Sequence, residues 1–221
     1  MFVLNDMPDQ LDAELVQMLE KVETATVGHV RHAGFFDRGI RAVIEDRRAA
    51  GTAVTLRIPG PDSALLHYVV PQLREGDFLI VDRCGDTRHA CWGGVLANVA
   101  RQKRLAGVVV DGPATDFAEI RKCGVPVWCR GPSPITTKVL GLGGAFNVPV
   151  SVGDVVVTPG DAVLGDESGV LVLSANEAAQ VSQMALGLQE AEIVTLKRLS
   201  DGERLPDITG ATDLIRAKLS Q

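Results

Sequence analysis

Two short stretches of the sequence carry residues that could bind and activate a small anionic molecule. The first contains Gly93, Gly94, Val95 and Leu96, at the start of a predicted helix. Paired glycines let the backbone approach a ligand closely, and the unpaired amides of a first helical turn form an anion site. We therefore expect these four residues to bind a substrate carboxylate. The same glycines are also typical of a tight turn into a packed helix.

The second stretch carries three carboxylates after an apolar strand. Asp111 follows residues 107–110, and Asp116 and Glu119 lie at the start of the next predicted helix. Open α/β sheets usually place their sites at this end of a strand. Asp116 and Glu119 are three residues apart and share a helical face, where two hard oxygen ligands suit Mg²⁺ or Mn²⁺. Alternatively, Asp116 caps the helix and Glu119 completes a capping box.

Histidine is a further source of chemistry because it can gain or lose a proton near neutral pH. His89 precedes the glycine pair and could act there as an acid or a base. The alternative is a loop histidine whose ring is simply hydrogen-bonded. His29, His32 and His67 show no spacing that indicates a metal site, and we assign them no role.

Alternating helices and strands are predicted to position these residues. The apolar pattern indicates strands over 52–58, 78–81, 107–110 and 125–129, with helices over 10–22, 62–73, 94–105 and 116–122. Such a βαβ succession indicates an α/β fold with a parallel or mixed sheet and helices against its faces. Valines between Pro and Gly residues predict a β-rich segment over 147–157. Helices are predicted over 175–199 and from Ala211 onward.

The composition favours one cytosolic domain over residues 1–221. Hydrophobic residues make up 46% of the chain, and no linker-like stretch interrupts it. No apolar run approaches the roughly 20 residues that span a bilayer, and the N terminus lacks signal-peptide features. A net charge of −6 with scattered basic residues disfavours nucleic acid as a partner. The cysteines have no metal-binding spacing and are predicted to be reduced: Cys84, Cys91, Cys123 and Cys129.

As a set, these motifs resemble the 4-hydroxy-4-methyl-2-oxoglutarate aldolases, a family grouped with the regulator of ribonuclease activity A. The resemblance covers nearly the whole chain. Its motifs are residues 92–97, 106–112, 115–121, 124–127, 130–131, 133–134, 147–150, 159–161, 165–166 and 169–170. It implies an RraA-like layered sandwich of mixed sheet and helices, related to the swivelling phosphohistidine domains. It also implies assembly as a homotrimer or a homohexamer.

The resemblance further implies roles for the two stretches. In the active aldolases an Arg-Asp pair leads the second motif, where the Asp holds a divalent metal and the Arg steadies the oxygen of a pyruvate enolate. On this chain the metal carboxylate is Asp116 and its motif companion is Glu119. The amides of residues 93–96 would receive the pyruvyl carboxylate. The arginine position is Thr115, and the acid that tends to follow the first-motif glycine is replaced by Gly94.

Thr115 is the main departure from the family pattern. Threonine carries no charge, and loss of a preorganised cationic donor costs on the order of 3 to 4 kcal/mol in the reaction barrier. Another arginine could compensate, and the sequence offers Arg83, Arg88 and Arg130 near strand or loop ends. The candidate catalytic residues are therefore Asp116, Thr115 and His89.

Two hypotheses follow from these residues. The first is a carbon–carbon lyase dependent on Mg²⁺ or Mn²⁺, an aldolase or an oxaloacetate-type decarboxylase, acting on a small oxo-acid through a pyruvate enolate. The second is a non-catalytic oligomeric regulator of the same fold that binds a protein partner, which the uncharged Thr115 favours. The retained Asp116, Glu119 and glycine pair favour the lyase. A methyltransferase is disfavoured because no glycine-rich nucleotide fingerprint follows a first strand.

Overall fold

The computed structural model describes residues 1–220 and contains a mixed β-sheet flanked by helices. The strands are β1 (Phe2–Leu4), β2 (Arg41–Ala42), β3 (Ala49–Arg57), β4 (Asp77–Asp82), β5 (Gly107–Val110), β6 (Val127–Cys129), β7 (Gly144–Phe146), β8 (Val150–Val152), β9 (Val155–Val157), β10 (Ala162–Gly165) and β11 (Val170–Leu173). The helices are α1 (Ala13–Leu19), α2 (Thr24–Gly28), α3 (Ala64–Val69), α4 (Gly94–Lys103), α5 (Phe117–Cys123), α6 (Ala175–Ser200), α7 (Leu205–Ile208) and α8 (Ala211–Leu219).

Four parallel strands form the centre of the sheet. They run in the order β3, β4, β5, β6, and the antiparallel strand β2 follows β6. On the other side β7 and β10 both pair antiparallel to β3, β1 pairs parallel to β7, and β11 pairs with β10. Helices α3, α4 and α5 make the crossovers between the parallel strands, as parallel pairing requires. The carboxyl ends of β4, β5 and β6 therefore meet at one edge.

Apolar residues cover both faces of these central strands. In β4, Leu79 and Val81 pack in one cluster with the helices α3 and α4, whereas Phe78 and Ile80 pack in another with Trp128. Successive side chains of a strand point to opposite faces, so both faces of β4 are buried. Continuous apolar runs are typical of parallel strands covered on both sides. A third cluster packs α1, α2 and the first half of α6 against the β10–β11 hairpin.

The structure confirms the predicted α/β class with a mixed sheet, but several predicted bounds are wrong. The helix predicted over 62–73 ends at Val69 and continues as a 3-10 turn, because Pro71 cannot donate the hydrogen bond that an α-helix needs. The strand predicted over 125–129 starts only at Val127, since Pro126 has no backbone N–H for the ladder. The predicted opening helix is also shorter, and α2 follows it as a separate helix.

The β-rich segment predicted over 147–157 is present as the β8–β9 hairpin. The helices predicted over 175–199 and from Ala211 are present as α6 and α8. The expected single domain over 1–221 stays a prediction, and its last residue, Gln221, lies outside the described residues. None of the helices described between residues 1 and 220 combines the length and the apolar composition that crossing a membrane requires.

Candidate functional site

Four loops lie side by side beyond the carboxyl ends of the parallel strands. They follow β3, β4, β5 and β6, so the sheet order brings them together. The amide of Thr115 donates to the carbonyl of Trp92 at 2.8 Å and ties two of these loops. Single backbone bridges join Asp62 to Lys138, Ala90 to Thr136, Trp92 to Ala114, and Ala114 to Pro132.

These loops and the start of α4 line a cavity of about 410 Å³. This volume suits a small molecule, since ligand pockets start at about 300 Å³. The side chains that bring polar or titratable groups to its lining are Ser63, His67, Cys91, Trp92, Thr115, Asp116, Thr136, Thr137 and Lys138. The backbone of residues 93–96 completes one wall, so the cavity joins the two stretches that the sequence singled out.

Asp116 is held in an unusual backbone conformation at the mouth of α5. Its φ of 54° is left-handed, a conformation that non-glycine residues rarely adopt and that is often found at functional sites. Its side chain makes no capping bond to α5, so the capping alternative is wrong for this residue. Oδ2 accepts the amide of Gly94 at 3.0 Å, and Oδ1 lies 3.4 Å from the Thr115 hydroxyl. Asp116 is exposed, and the bond that Oδ1 accepts from the Thr115 hydroxyl is long, so Oδ1 keeps room to accept a ligand.

The glycine pair provides space for a close contact between α4 and the loop that precedes α5. A Cβ on Gly93 would lie 2.8 Å from Oδ2 of Asp116, and a Cβ on Gly94 would lie 2.9 Å from Cγ of Glu119. Because the Gly94 amide is bonded to Asp116, it is not free for a substrate, which corrects the predicted four-amide anion site. The amides of Val95 and Leu96 lie in the first turn of α4, where no intrahelical acceptor exists.

Glu119 lies behind the glycines and does not line the cavity. Its Oε1 accepts Nδ2 of Asn98 at 3.3 Å, and its Oε2 lies 3.6 Å from Nζ of Lys122. The structure therefore does not bring Glu119 and Asp116 together on the cavity wall, although they are three residues apart in sequence. The reason is that Asp116 precedes α5 in a left-handed conformation, so the two do not share a helical face.

The donor set limits the kind of metal that the site could hold. Residues 1–220 contain no group of three or more His, Cys, Asp or Glu side chains placed to hold a metal ion. Mg²⁺ and Mn²⁺ are commonly bound through one or two carboxylates, with waters and substrate oxygens as the other ligands. The open oxygen of Asp116 fits such a hydrated cation. It does not fit a cation enclosed by protein ligands alone.

The three arginines proposed to replace the family arginine lie elsewhere. Arg83 is fully buried and donates through Nη2 to the carbonyls of Gly60 and His89. Arg130 forms ion pairs with Asp37 and Asp111, and neither Arg130 nor Asp111 lines the cavity. Arg88 is absent from the cavity lining.

Two functional candidates were missed by the sequence analysis. Lys138 belongs to the lining of the cavity and is the only Lys or Arg among its lining residues within residues 1–220. Trp92 is fully buried in the cavity wall, and its indole N–H has no acceptor within residues 1–220. Buried indole N–H groups usually find a partner, but this nitrogen is itself closed to solvent, so the structure does not open it to a ligand in the cavity. The position of Trp92 directly before the glycines was a usable signal, whereas nothing in the sequence around Lys138 indicates a site.

The histidines differ from expectation. His67, to which we assigned no role, lines the cavity from α3. His89 lies just outside the lining, with Nδ1 2.7 Å from Oδ2 of Asp86. Burial would raise the pKa of Asp86, but hydrogen bonds from the His89 amide, the His89 ring and the Arg88 amide lower the pKa to about 2. The acid–base role of His89 stays a prediction.

Comparison with known proteins agrees with the resemblance seen in the sequence. Residues 11–172 match the family model RraA-like, described as Aldolase/RraA. A putative 4-hydroxy-4-methyl-2-oxoglutarate aldolase from Halalkalibacterium halodurans is 30% identical over 162 residues, which are 73% of this chain and 77% of the relative. A 4-hydroxy-4-methyl-2-oxoglutarate aldolase from Thermus thermophilus is 38% identical over 126 residues, which are 57% of this chain and 76% of the relative.

A solved structure from Streptomyces coelicolor, RraAS2, is also similar. It is described as an unusual member of the RNase ES inhibitor RraA protein family. The match has a TM-score of 0.74 and 29% sequence identity, and it covers 86% of this chain and 98% of the other. Names of both aldolases and ribonuclease inhibitors therefore occur among the similar proteins.

Proposed function

The chain belongs to the RraA-like family, described as Aldolase/RraA, and we propose that it is a carbon–carbon lyase dependent on a divalent metal. It acts on a small oxo-acid through a pyruvate enolate, as an aldolase or an oxaloacetate-type decarboxylase. One observation carries the proposal: Asp116, with its exposed carboxylate, and Lys138 both belong to the lining of one small cavity. Together they offer both signs of charge to a substrate.

The substrate carboxylate binds at the start of α4 in this proposal. The amides of Val95 and Leu96 lie in the first turn of α4. The N-terminus of a helix carries a partial positive charge, which favours an anion there. Lys138, which belongs to the lining of the same cavity, adds a positive charge. Fixed donors of this kind favour an anion without further rearrangement, because they are already oriented before it binds.

Asp116 is the residue that would hold Mg²⁺ or Mn²⁺. When bound, the metal supplies a Lewis acid for the negative charge that develops on the 2-oxo oxygen. The Gly94 amide fixes the carboxylate of Asp116 from behind, and the Thr115 hydroxyl lies beside it. Glu119 was predicted as a second ligand, and we propose a supporting role for it, because it bonds Asn98 behind the glycine wall.

Lys138 takes over part of the task of the missing arginine in this proposal. Thr115 contributes no charge, but Lys138 belongs to the lining of the same cavity and would supply a cation there. An ammonium group is a compact point charge and lacks the bidentate geometry of a guanidinium group. A change of substrate orientation relative to arginine-containing aldolases is therefore part of the proposal.

Assembly as a homotrimer or a homohexamer and a cytoplasmic location complete the proposal. All four cysteines are unpaired, as is usual in a reducing compartment. The net charge of −6 supports the expectation that no nucleic acid is bound.

The first experiment measures pyruvate release from oxaloacetate and from 4-hydroxy-4-methyl-2-oxoglutarate, with Mg²⁺, with Mn²⁺ and with a chelator. We expect metal-dependent turnover and a fall in kcat/KM of about 1,000-fold in Asp116→Asn. Asp154→Asn is the matched control, because Asp154 is also exposed and also left-handed, at a φ of 66°, in the β8–β9 turn. It should retain activity.

The variant Thr115→Arg separates the lyase from the regulator. If the wild type turns over neither substrate and Thr115→Arg becomes active, the natural protein is not a lyase for these oxo-acids. The non-catalytic binding role would then replace the proposal. Turnover by the wild type that survives in Asp116→Asn would equally contradict it, because the metal would have no protein carboxylate on the cavity.

A further inference from the structure

Cleavage of a 4-hydroxy-2-oxo acid into pyruvate involves two proton transfers. The 4-hydroxyl group loses its proton as the C3–C4 bond breaks, and C3 of the resulting enolate then gains one. The hydroxyl oxygen and C3 are only two bonds apart, so one side chain can accept the first proton and return it as the second. A side chain on the cavity that both accepts and donates a proton would therefore serve both steps.

Within residues 1–220, four titratable side chains belong to the lining of the cavity: His67, Cys91, Asp116 and Lys138. Burial raises the pKa of the Cys91 thiol to about 11, so this thiol stays protonated at neutral pH. Carboxylates ordinarily titrate well below neutrality and ammonium groups well above it. Imidazole is the side-chain group that ordinarily exchanges a proton near neutral pH. His67 therefore has the chemistry that both steps need.

Backbone hydrogen bonds fix α3, and with it His67, beside the cavity. The amide of Ser63 donates to the carbonyl of Lys138 at 2.9 Å, and Ser63 also belongs to the cavity lining. One helical turn later, the amide of His67 donates to the carbonyl of Ser63 at 3.0 Å. Residues four apart on a helix lie on the same face. His67 and Ser63 therefore line the cavity from one face of α3.

His67 is accessible, whereas the other histidine at this edge of the sheet is engaged elsewhere. His67 is exposed at the cavity. Among residues 1–220, the histidine that forms an ion pair is His89, whose Nδ1 lies 2.7 Å from Oδ2 of Asp86. His89 also lies outside the cavity lining. The structure thus places His67, and not His89, where a substrate would bind.

Few charged groups face His67. Asp116 and Lys138 share its cavity. Asp62, before the start of α3, is buried and bonded to backbone amides. The 3-10 turn Val70–Gln72 and β7 contact α3, and β1 lines a groove with it, and none of these three elements carries a titratable side chain. Variants of His67 and Asp116 can therefore separate the contributions to a pH profile.

We propose, on the basis of the lyase function above, that His67 is its acid–base residue. The imidazole accepts the 4-hydroxyl proton as the C3–C4 bond breaks. The electron pair of that bond forms the C2–C3 double bond of the enolate, and C4 becomes the carbonyl carbon of the second product. The imidazolium then donates the proton to C3, which gives pyruvate and restores the neutral ring. In decarboxylation of oxaloacetate, only the transfer to C3 is needed, and the ring regains its proton from solvent.

Hydrogen exchange of pyruvate tests this role with a single substrate. In D2O with Mg²⁺, loss of the methyl signal in proton NMR spectra measures removal and return of the C3 proton by the full chain. We expect His67→Ala to slow the metal-dependent exchange by at least about 100-fold. His32→Ala is the matched control, at another exposed histidine that lies outside the cavity lining. It should exchange at the wild-type rate.

The outcomes of this experiment distinguish the acid–base role from the lyase itself. Fast metal-dependent exchange in His67→Ala would overturn the role of His67 and leave the lyase intact. Slow exchange in His89→Ala alone would assign the role to His89 and also overturn the inference. Turnover by a wild type that shows no exchange would contradict it too, because the ring must reach C3. A wild type with neither exchange nor turnover would overturn the lyase function as well.

A pH profile and chemical rescue separate a catalytic ring from a structural one. For 4-hydroxy-4-methyl-2-oxoglutarate, kcat/KM of the wild type should fall as the pH drops from about 7 to about 5, because a protonated ring cannot accept the hydroxyl proton. The residual activity of His67→Ala should lack this fall. Added imidazole should raise the activity of His67→Ala at least about tenfold, but not that of Asp116→Asn. A wild-type pH profile in His67→Ala without rescue by imidazole would contradict the role of His67.

Discussion

Asp62 and Asp116 are two aspartates beside the same cavity, but their surroundings are opposite. Asp62 is 1% exposed and accepts three backbone amides at 2.6 to 2.9 Å. Asp116 is exposed, accepts one amide, and sits in a left-handed conformation. A carboxylate whose oxygens are fully bonded has a structural task. One that keeps an open oxygen at an energetic cost is available for chemistry.

Asp62 does not line the cavity, but it holds part of the cavity wall in place. Its oxygens bind the amides of Leu140 and Leu142 and so hold the loop that carries Lys138. Burial would raise the pKa of Asp62, but the amides of Leu140, Ala64 and Leu142 outweigh it, and the pKa lies below its usual value. Asp62 therefore supports the loop of Lys138, whereas Asp116 would act beside Lys138 in the reaction.

The largest expected effect tests the two aspartates directly. Asp62→Ala should lower the free energy of unfolding by about 3 kcal/mol, because it leaves three amides without their acceptor. Asp116→Asn should change it by less than about 0.5 kcal/mol, since Asn tolerates the left-handed conformation. Urea unfolding at pH 7 measures both. Equal destabilisation by the two substitutions would show that Asp116 stabilises the fold as much as Asp62 does.

Lys138→Met comes next in size. If the lysine supplies the charge absent at Thr115, kcat/KM for the oxo-acid should fall about 100-fold, or about 2.7 kcal/mol. The unfolding free energy should hold, because the backbone of Lys138 and not its side chain is bonded to residues 61–63. Lys122→Met is the matched control, at an exposed lysine 3.6 Å from Glu119. A similar loss of activity in the control would refute the specific role of Lys138.

Acid titration extends the comparison to Asp86, another well-bonded carboxylate at this sheet edge. Its pKa falls from an ordinary 3.8 to about 2 in the folded state. A lowered folded pKa means that the stabilisation is fully present above about pH 4 and is lost as the pH falls toward 2. We expect a loss of about 2 kcal/mol over this window.

Urea midpoints between pH 5 and pH 2 for the wild type and Asp86→Asn measure this effect. The variant should be less stable at pH 5 and should lose less stability in acid than the wild type. If Asp86→Asn loses as much stability in acid as the wild type, the bonds to Asp86 do not cause this effect.

The central fold could be predicted because its apolar pattern is local. The runs that became β4 and β5 are continuous, as strands buried on both faces must be. The start of β3 could not be predicted, because Ala49 belongs to the sheet through its pairing with Gly165. Pairing between such distant residues leaves no periodic signal in either segment.

The candidate site was predictable only where its residues are close in sequence. Asp116 and the glycines stand in compact motifs, and the structure places them on one cavity. Lys138 reaches the cavity through a loop that Asp62 fixes from 78 residues away. The reason for glycine at positions 93 and 94 could not be predicted either. A side chain there would clash with Asp116 or Glu119, and this packing is visible only in the structure.

The smallest effect concerns the backbone of Asp116. Alanine in a left-handed conformation costs about 1 kcal/mol relative to glycine, which adopts it freely. Asp116→Gly should therefore be more stable than Asp116→Ala by about 1 kcal/mol, while both lose the carboxylate and the activity. The same pair at Asp154, also left-handed, provides the control, with a similar difference in stability and full activity. If glycine and alanine are equally stable at Asp116, the loop relaxes on substitution, and its left-handed conformation in the wild type is then imposed by the carboxylate bond to Gly94.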